Sequence, residues 1–212
     1  MKQINDNKIS GVIKIYSQGG PEVLVYEEEF VGDPAANQIL LKQEAIGVNF
    51  VDTMFRNRTF PITKFPMGAG VEASGIIESV GKDITHFKAG DRVAYHHAIG
   101  AYAERRLVYA DNLVHLPDEI SFEIAAALQA KGLTANVLLK IAYQVKKGDI
   151  LLVHAAAGGV GSLLSKWAKS LGAMVIGTVG SEMKKKQLAG LDGAIALDTE
   201  NLAERVLQIT GG

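Results

Sequence analysis

The 212 residues comprise 22 Lys and Arg against 23 Asp and Glu, with 48% hydrophobic residues and 23 glycines, a size of one full domain plus part of another or one large one at about 100–200 residues each. This near-neutral, apolar composition excludes a disordered tail and gives no electrostatic case for nucleic acid or an anionic membrane as main partner. The absence of cysteine excludes disulfides, thiolate zinc and a cysteine nucleophile, while the five histidines, with carboxylates, leave another kind of metal site open.

The opening stretch, Met1 to Lys8, is polar and lacks the apolar core of a signal peptide. No apolar run reaches the ~18 residues of a bilayer span, so the cytoplasm is the expected compartment. Val12-Ile13-Lys14-Ile15-Tyr16 alternates like a strand and stops at the turn signal Gly19-Gly20-Pro21. Ile39 to Lys42 and Gly70 to Val80 are further strands, the latter closed by Gly81. Ala89-Gly90-Asp91 turns the chain into Arg92-Val93-Ala94-Tyr95. Short strands at this spacing predict a small β-rich barrel or sandwich.

From Ser121 the period changes. Ser121 and Glu123 start a helix that Ala125 to Leu128 continue, Gly132 interrupts, and Thr134 to Tyr143 resume. Ile150-Leu151-Leu152-Val153 is apolar throughout, as a strand buried on both faces requires. A helix over Ser162–Leu171 follows, with Gly172 as its C-terminal cap. Next come a strand over Val175–Val179, a helix over Glu182–Leu188, a strand over Ala194–Leu197 and a last helix capped by Asn201. This βαβαβα order is the first half of a doubly wound Rossmann sheet, so the fold class is α/β, with a β-rich domain over residues 1–120 and a partial dinucleotide-binding domain over 121–212.

The sharpest motif is Ala156-Ala157-Gly158-Gly159-Val160-Gly161, which lies between a buried strand and a helix. It has the form A-x-G-x-x-G, with alanine where the first glycine usually makes the tight turn. Gly158 lets the backbone approach a pyrophosphate, Gly161 lets the helix sit close to the strand, and the helix N-terminus attracts the phosphates. An NAD site usually carries an acid at the end of the next strand. Here that strand ends in Thr178-Val179-Gly180-Ser181, followed by Glu182 and Lys184-Lys185-Lys186. Hydroxyls and cations draw a 2′-phosphate that an acid would repel, so NADPH is favoured with Thr178, Gly180, Ser181 and Lys184 as its ligands. Two of the three lysines read as a solvated face, and Glu182 keeps NADH open.

At this point the chain resembles the zinc-independent quinone oxidoreductases, the zeta-crystallin-like group of the medium-chain dehydrogenase/reductase superfamily. The residues that carry the resemblance are Gly19 to Leu24, Gly47-Val48-Asn49-Phe50-Val51-Asp52, Gly90-Asp91-Arg92-Val93, Lys131-Gly132-Leu133-Thr134 and His154 to Gly161, in family order. The resemblance implies a GroES-like domain before the Rossmann domain, and hydride transfer from NADPH to a quinone or related conjugated carbonyl. It places Asn49 near the nicotinamide ribose or substrate and Thr134 beside the nicotinamide, with a turn and a helix start as their structural alternatives. An enoyl-thioester reductase of the same superfamily and a non-catalytic dinucleotide-binding remnant stay open. Relatives are usually homo-oligomers.

Zinc-dependent relatives place metal ligands at positions filled here by Asn49, Val71 and Ala130, two of which have no donor atom, so no metal is expected. A quinone is already electrophilic and needs positioning rather than a Lewis acid. Two departures stand out. Met54 replaces a tyrosine common in relatives, and Asp198 follows the third Rossmann strand where some relatives put a tyrosine on the 2′-phosphate. His96-His97 reads as surface and packing, because neighbours on a strand point to opposite faces. His154 reads as a shoulder of the glycine loop, Trp167 as core and Glu27-Glu28-Glu29 as a solvated strand face. The resemblance stops at Gly212, short of strands 4–6. The chain is therefore expected to be a truncated or split form, its Ile150–Val153 run a bare apolar edge, inactive or poorly soluble alone or covered by a partner.

Overall fold

A computed structural model describes residues 8–212. The polar opening stretch read above lies, but for Lys8, outside the described residues. The chain divides into two compact units, one ending at Ala130 and one spanning Lys131–Gly212. No helix among the described residues is long and apolar enough to cross a membrane.

The first unit contains β1 (Ile9–Ile15), β2 (Leu24–Phe30), β3 (Gln38–Gly47), α1 (Phe50–Arg56), β4 (Met67–Gly68), β5 (Glu72–Val80), β6 (Arg92–His96), β7 (Arg105–Tyr109) and β8 (Leu113–His115). These strands form a five-stranded sheet in the order β7-β3-β5-β6-β8 and a three-stranded sheet in the order β2-β1-β4. All their pairings are antiparallel. Ile39, Leu41, Ile77, Val93, Tyr95 and Val108 fill the core of the larger sheet. Register irregularities at Leu40/Leu41 and Gln43/Ala45 bend β3 along β5. Glu27 and Glu29 of the solvated β2 both pair with Lys14 across on β1.

α2 (Phe122–Asn136) begins in the first unit, and its residues from Lys131 belong to the second. It runs unbroken through Gly132, contrary to the expected interruption. A mid-helix glycine costs only about 1 kcal/mol, which the surrounding helix formers absorb. Val137–Ala142 then continue as a π-helix. The rest of the second unit is β9 (Ile150–Val153), α3 (Gly159–Ser170), β10 (Met174–Val179), α4 (Glu182–Lys185), β11 (Gly193–Ala196) and α5 (Leu202–Thr210).

β9, β10 and β11 form a parallel sheet in the order β11-β10-β9. Central β10 is buried over five of its six residues. β9, apolar as a strand buried on both faces would be, is the expected bare edge among the described residues, with Ile150 53% and Leu152 40% exposed. Trp167 packs against the sheet's core cluster, as expected, with the Lys140 ammonium 5.6 Å above its ring.

Candidate functional site

In the second unit β9 is followed by His154, whose Nδ1 lies 3.1 Å from the Thr178 hydroxyl on β10. The chain reverses through Ala155 in the left-handed region (φ 49). Ala156 is buried and donates its N–H to the Thr178 carbonyl at 2.9 Å, tying the loop to the neighbouring strand. Ala157 is half-buried. Gly158, exposed and extended, caps α3 without a side chain, and no acid lies in the helix's first turn. Gly159 and Val160 follow, and Gly161 is buried against the loop. A Cβ on Gly161 would stand 2.3 Å from the Ala155 carbonyl oxygen, so only glycine lets helix and strand approach this closely.

This cradle fits a pyrophosphate. The N-terminal N–H groups and partial positive charge of α3 face a surface with no competing carboxylate and no side chain at the cap. Lys131, to which the sequence assigned no role of its own, lies across the same loop. A Cβ on Gly159 would meet its Cε at 2.9 Å.

Beyond β10, Thr178 is fully buried with its hydroxyl on His154. Its side chain therefore supports the loop from beneath and does not reach a phosphate, a correction to its expected place among the ligands. Gly180 is exposed and Ser181 half-buried at the start of α4. Asp198, which follows the third Rossmann strand, spends its Oδ1 on the Glu182 N–H at 3.0 Å and so caps α4. Glu200 takes Lys185 at 2.7 Å. It also accepts the Ala196 N–H, and with the Lys185 and Arg205 charges this holds its carboxyl at about 2. Lys184 stays exposed and, among the described residues, without an ion pair. The tertiary contacts thus separate Lys184 from Lys185.

In the first unit Asn49 is buried at the start of α1. Its backbone N–H donates to Asp52 Oδ2 at 2.8 Å and its Nδ2 donates to Glu72 Oε1 at 2.6 Å. Glu72 is fully buried and accepts the Ala130 N–H on Oε2 at 2.7 Å. The carboxylate fixes which way the Asn49 amide faces, a role that the sequence did not reveal because the two residues meet only through the β3–β5 register. Tyr102 donates its hydroxyl to Asp52 at 2.9 Å. Burial, and then that bond, push its phenol well above the ordinary range. Val71 is buried, Ala130 half-buried, and no group of three or more metal-binding side chains lies together among the described residues. Met54 is half-buried on α1. Thr134 lies exposed within α2 and does not start a helix.

The reading of His96 and His97 needs correction. Their ring centroids lie 3.9 Å apart. Strand alternation does not separate them, because His97 sits past the end of β6 with φ 70.

An antiparallel β domain followed in the chain by a parallel sheet with a glycine-capped helix matches the fold of the medium-chain dehydrogenases/reductases. Residues 35–118 match the alcohol dehydrogenase GroES-like domain. Quinone oxidoreductase of Pseudomonas aeruginosa is 45% identical over 94% of this chain and 62% of its own length. 2-Haloacrylate reductase of a Burkholderia species is 40% identical over 93% of this chain and 62% of its own. The crystal structure of Escherichia coli quinone oxidoreductase complexed with NADPH superposes with a TM-score of 0.92 at 46% identity, covering 95% of this chain and 63% of that one. The chain thus spans 62% of the length of these enzymes. Over nearly its whole length it is similar to the quinone oxidoreductases of the medium-chain dehydrogenase/reductase superfamily.

Proposed function

We propose that the protein acts in zinc-independent hydride transfer from NADPH to a quinone or related conjugated carbonyl. The observation that carries this reading is the side-chain-free, acid-free N-terminus of α3, with Lys184 unpaired near the end of the adjacent strand. Bound NADPH would supply the hydride. The chain's part is to bind and orient: Ala156 to Gly161 cradle the pyrophosphate, while Gly180, Ser181 and Lys184 receive the 2′-phosphate. Asn49, oriented by Glu72, is assigned to the nicotinamide ribose or substrate, and Thr134 to the nicotinamide. Val71 and Ala130 offer no metal donor, in keeping with a substrate that is electrophilic unaided. The compartment proposed is the cytoplasm, with which a cysteine-free, dinucleotide-dependent protein is consistent. The Burkholderia relative, a 2-haloacrylate reductase, favours conjugated alkenes as a second substrate class.

Titration of NADPH, followed by nicotinamide fluorescence, tests the cofactor assignment. Gly158→Asp should abolish binding by setting a carboxylate against the pyrophosphate. Lys184→Glu should weaken NADPH by about tenfold or more, the worth of a charge-assisted hydrogen bond, and NADH much less. Equal losses for the two coenzymes would defeat the 2′-phosphate assignment, and unchanged affinity in Gly158→Asp would move the site elsewhere.

A further inference from the structure

Gly158 and Gly161 serve the phosphate loop, but Gly159 stands where the A-x-G-x-x-G pattern accepts any residue. A Cβ on Gly159 would stand 2.9 Å from Lys131 Cε, 3.0 Å from its Cδ and 3.7 Å from its Cγ. The stem of Lys131 thus fills the space that a side chain at position 159 would take. Both residues belong to the second unit, which begins at Lys131. Gly132, next along α2, also lies beside α3, where a Cβ would meet Leu163 Cδ2 at 4.0 Å. Gly159 is the first residue of α3, and Cα–Cβ bonds in a helix tilt towards its N-terminus. The point that Lys131 Cδ and Cε crowd therefore lies at the mouth of the helix, beside its first N–H groups. The ammonium is one bond, about 1.5 Å, beyond Cε, so the charge stays at that mouth whichever way the last bond turns. Lys131 is half-buried, its stem laid along the loop.

We propose that Lys131 is a ligand of the coenzyme pyrophosphate, and that Gly159 is glycine so that the lysine can lie across the loop to reach it. This assignment rests on the function proposed above and adds a cation to a cradle otherwise built of backbone. The helix end offers only about half a unit of positive charge, whereas a dinucleotide pyrophosphate carries two negative charges. The ammonium makes up part of the difference, and no acid in the first turn of α3 opposes it. As a compact charge with three rotatable donors it meets a phosphate oxygen without demanding a fixed plane. The pyrophosphate is common to NADPH and NADH, so Lys131 strengthens both, whereas Lys184 is assigned to the 2′-phosphate alone.

The test is calorimetric titration of the 212-residue chain with NADPH, with ADP-ribose, which keeps the pyrophosphate and lacks the 2′-phosphate, and with adenosine 2′-monophosphate, which does the reverse. Lys131→Met keeps an unbranched stem and removes the charge. It should weaken NADPH and ADP-ribose about tenfold each, the worth of a charge-assisted hydrogen bond, and leave adenosine 2′-monophosphate unchanged. Lys131→Arg should recover most of the loss. Gly159→Ala pushes the lysine stem aside at no cost in helix preference, so its melting temperature should hold while ADP-ribose binds several-fold more weakly. In the Lys131→Met background the same alanine should add little, since the two residues act as one. Unchanged ADP-ribose affinity in Lys131→Met, with Gly158→Asp still abolishing it, overturns the proposal and leaves the functional reading standing. An equal alanine penalty in both backgrounds does the same. A parent chain that binds neither NADPH nor ADP-ribose takes the functional reading down as well.

Discussion

Gly161→Ala is the most direct perturbation of the cofactor cradle. The added methyl carbon would stand 2.3 Å from Ala155 O, 2.8 Å from Ala156 Cα and 3.0 Å from the Ala155 carbonyl carbon. All three atoms are backbone, and the Ala156 N–H is itself bonded to β10 at 2.9 Å, so the loop has little freedom to yield. Restoring ordinary contact, about 3.5 Å between heavy atoms, requires the start of α3 to retreat by roughly 1 Å. The retreat would loosen Leu164, Trp167 and Ala168 against the sheet. Overpacking of this kind costs about 1–3 kcal/mol or more, offset by about 1 kcal/mol of helix preference for alanine over glycine. A rigid neighbour places the net near 2 kcal/mol, or roughly 8–16 °C in melting temperature for a unit of this size. Gly158→Ala is the control. Its Cβ would meet only Ala155 O, at 3.1 Å, which a shift of a few tenths of an ångström relieves. Thermal melts by far-UV circular dichroism, paired with NADPH titrations, should show Gly161→Ala losing both stability and affinity, and Gly158→Ala holding its melting temperature. A Gly161→Ala protein melting within about 2 °C of the parent would refute the close helix–strand packing on which the cradle depends.

Two further outcomes follow from the hydrogen bonds. Glu72→Leu removes the carboxylate that accepts from Asn49 Nδ2 and the Ala130 N–H. Deleting a buried acceptor costs about 1–3 kcal/mol per donor left without it, so denaturant midpoints should fall clearly, and Glu72→Gln, which keeps one carbonyl acceptor, should fall less. Glu200, held at about 2 against an ordinary 4.5, contributes stability that is present above pH 4.5 and lost as the pH falls through 2. Melting curves of Glu200→Gln should therefore lie below the parent's at pH 7 and converge with them as the pH approaches about 2. A gap that persists unchanged in acid would assign the effect to packing.

Much of the second unit was legible because its signals are local. An apolar run, a glycine loop and a helical period follow one another within thirty residues, and Asn201 caps α5 by accepting the Glu204 N–H as its residue type predicts. The cradle itself could be read from Ala156 to Gly161 because glycine there answers a backbone requirement that any phosphate-binding helix shares. Lys185 leaves the expected solvated face for a reason that no pattern carries: Glu200 lies fifteen residues from it in the chain and 2.7 Å from it in space.

The amino-acid sequence by itself determined the class of fold, the position of the glycine loop between strand and helix, and the residue types Val71 and Ala130 that carry no metal donor, since each depends on residue type and near neighbours. Only the tertiary structure decided that Thr178 faces inward to His154, that Glu72 orients Asn49, and that His96 and His97 stack. Each of these is fixed by strand register or a single backbone dihedral, and a one-residue change in either moves a side chain to the other face of the sheet without altering the pattern from which it would be read.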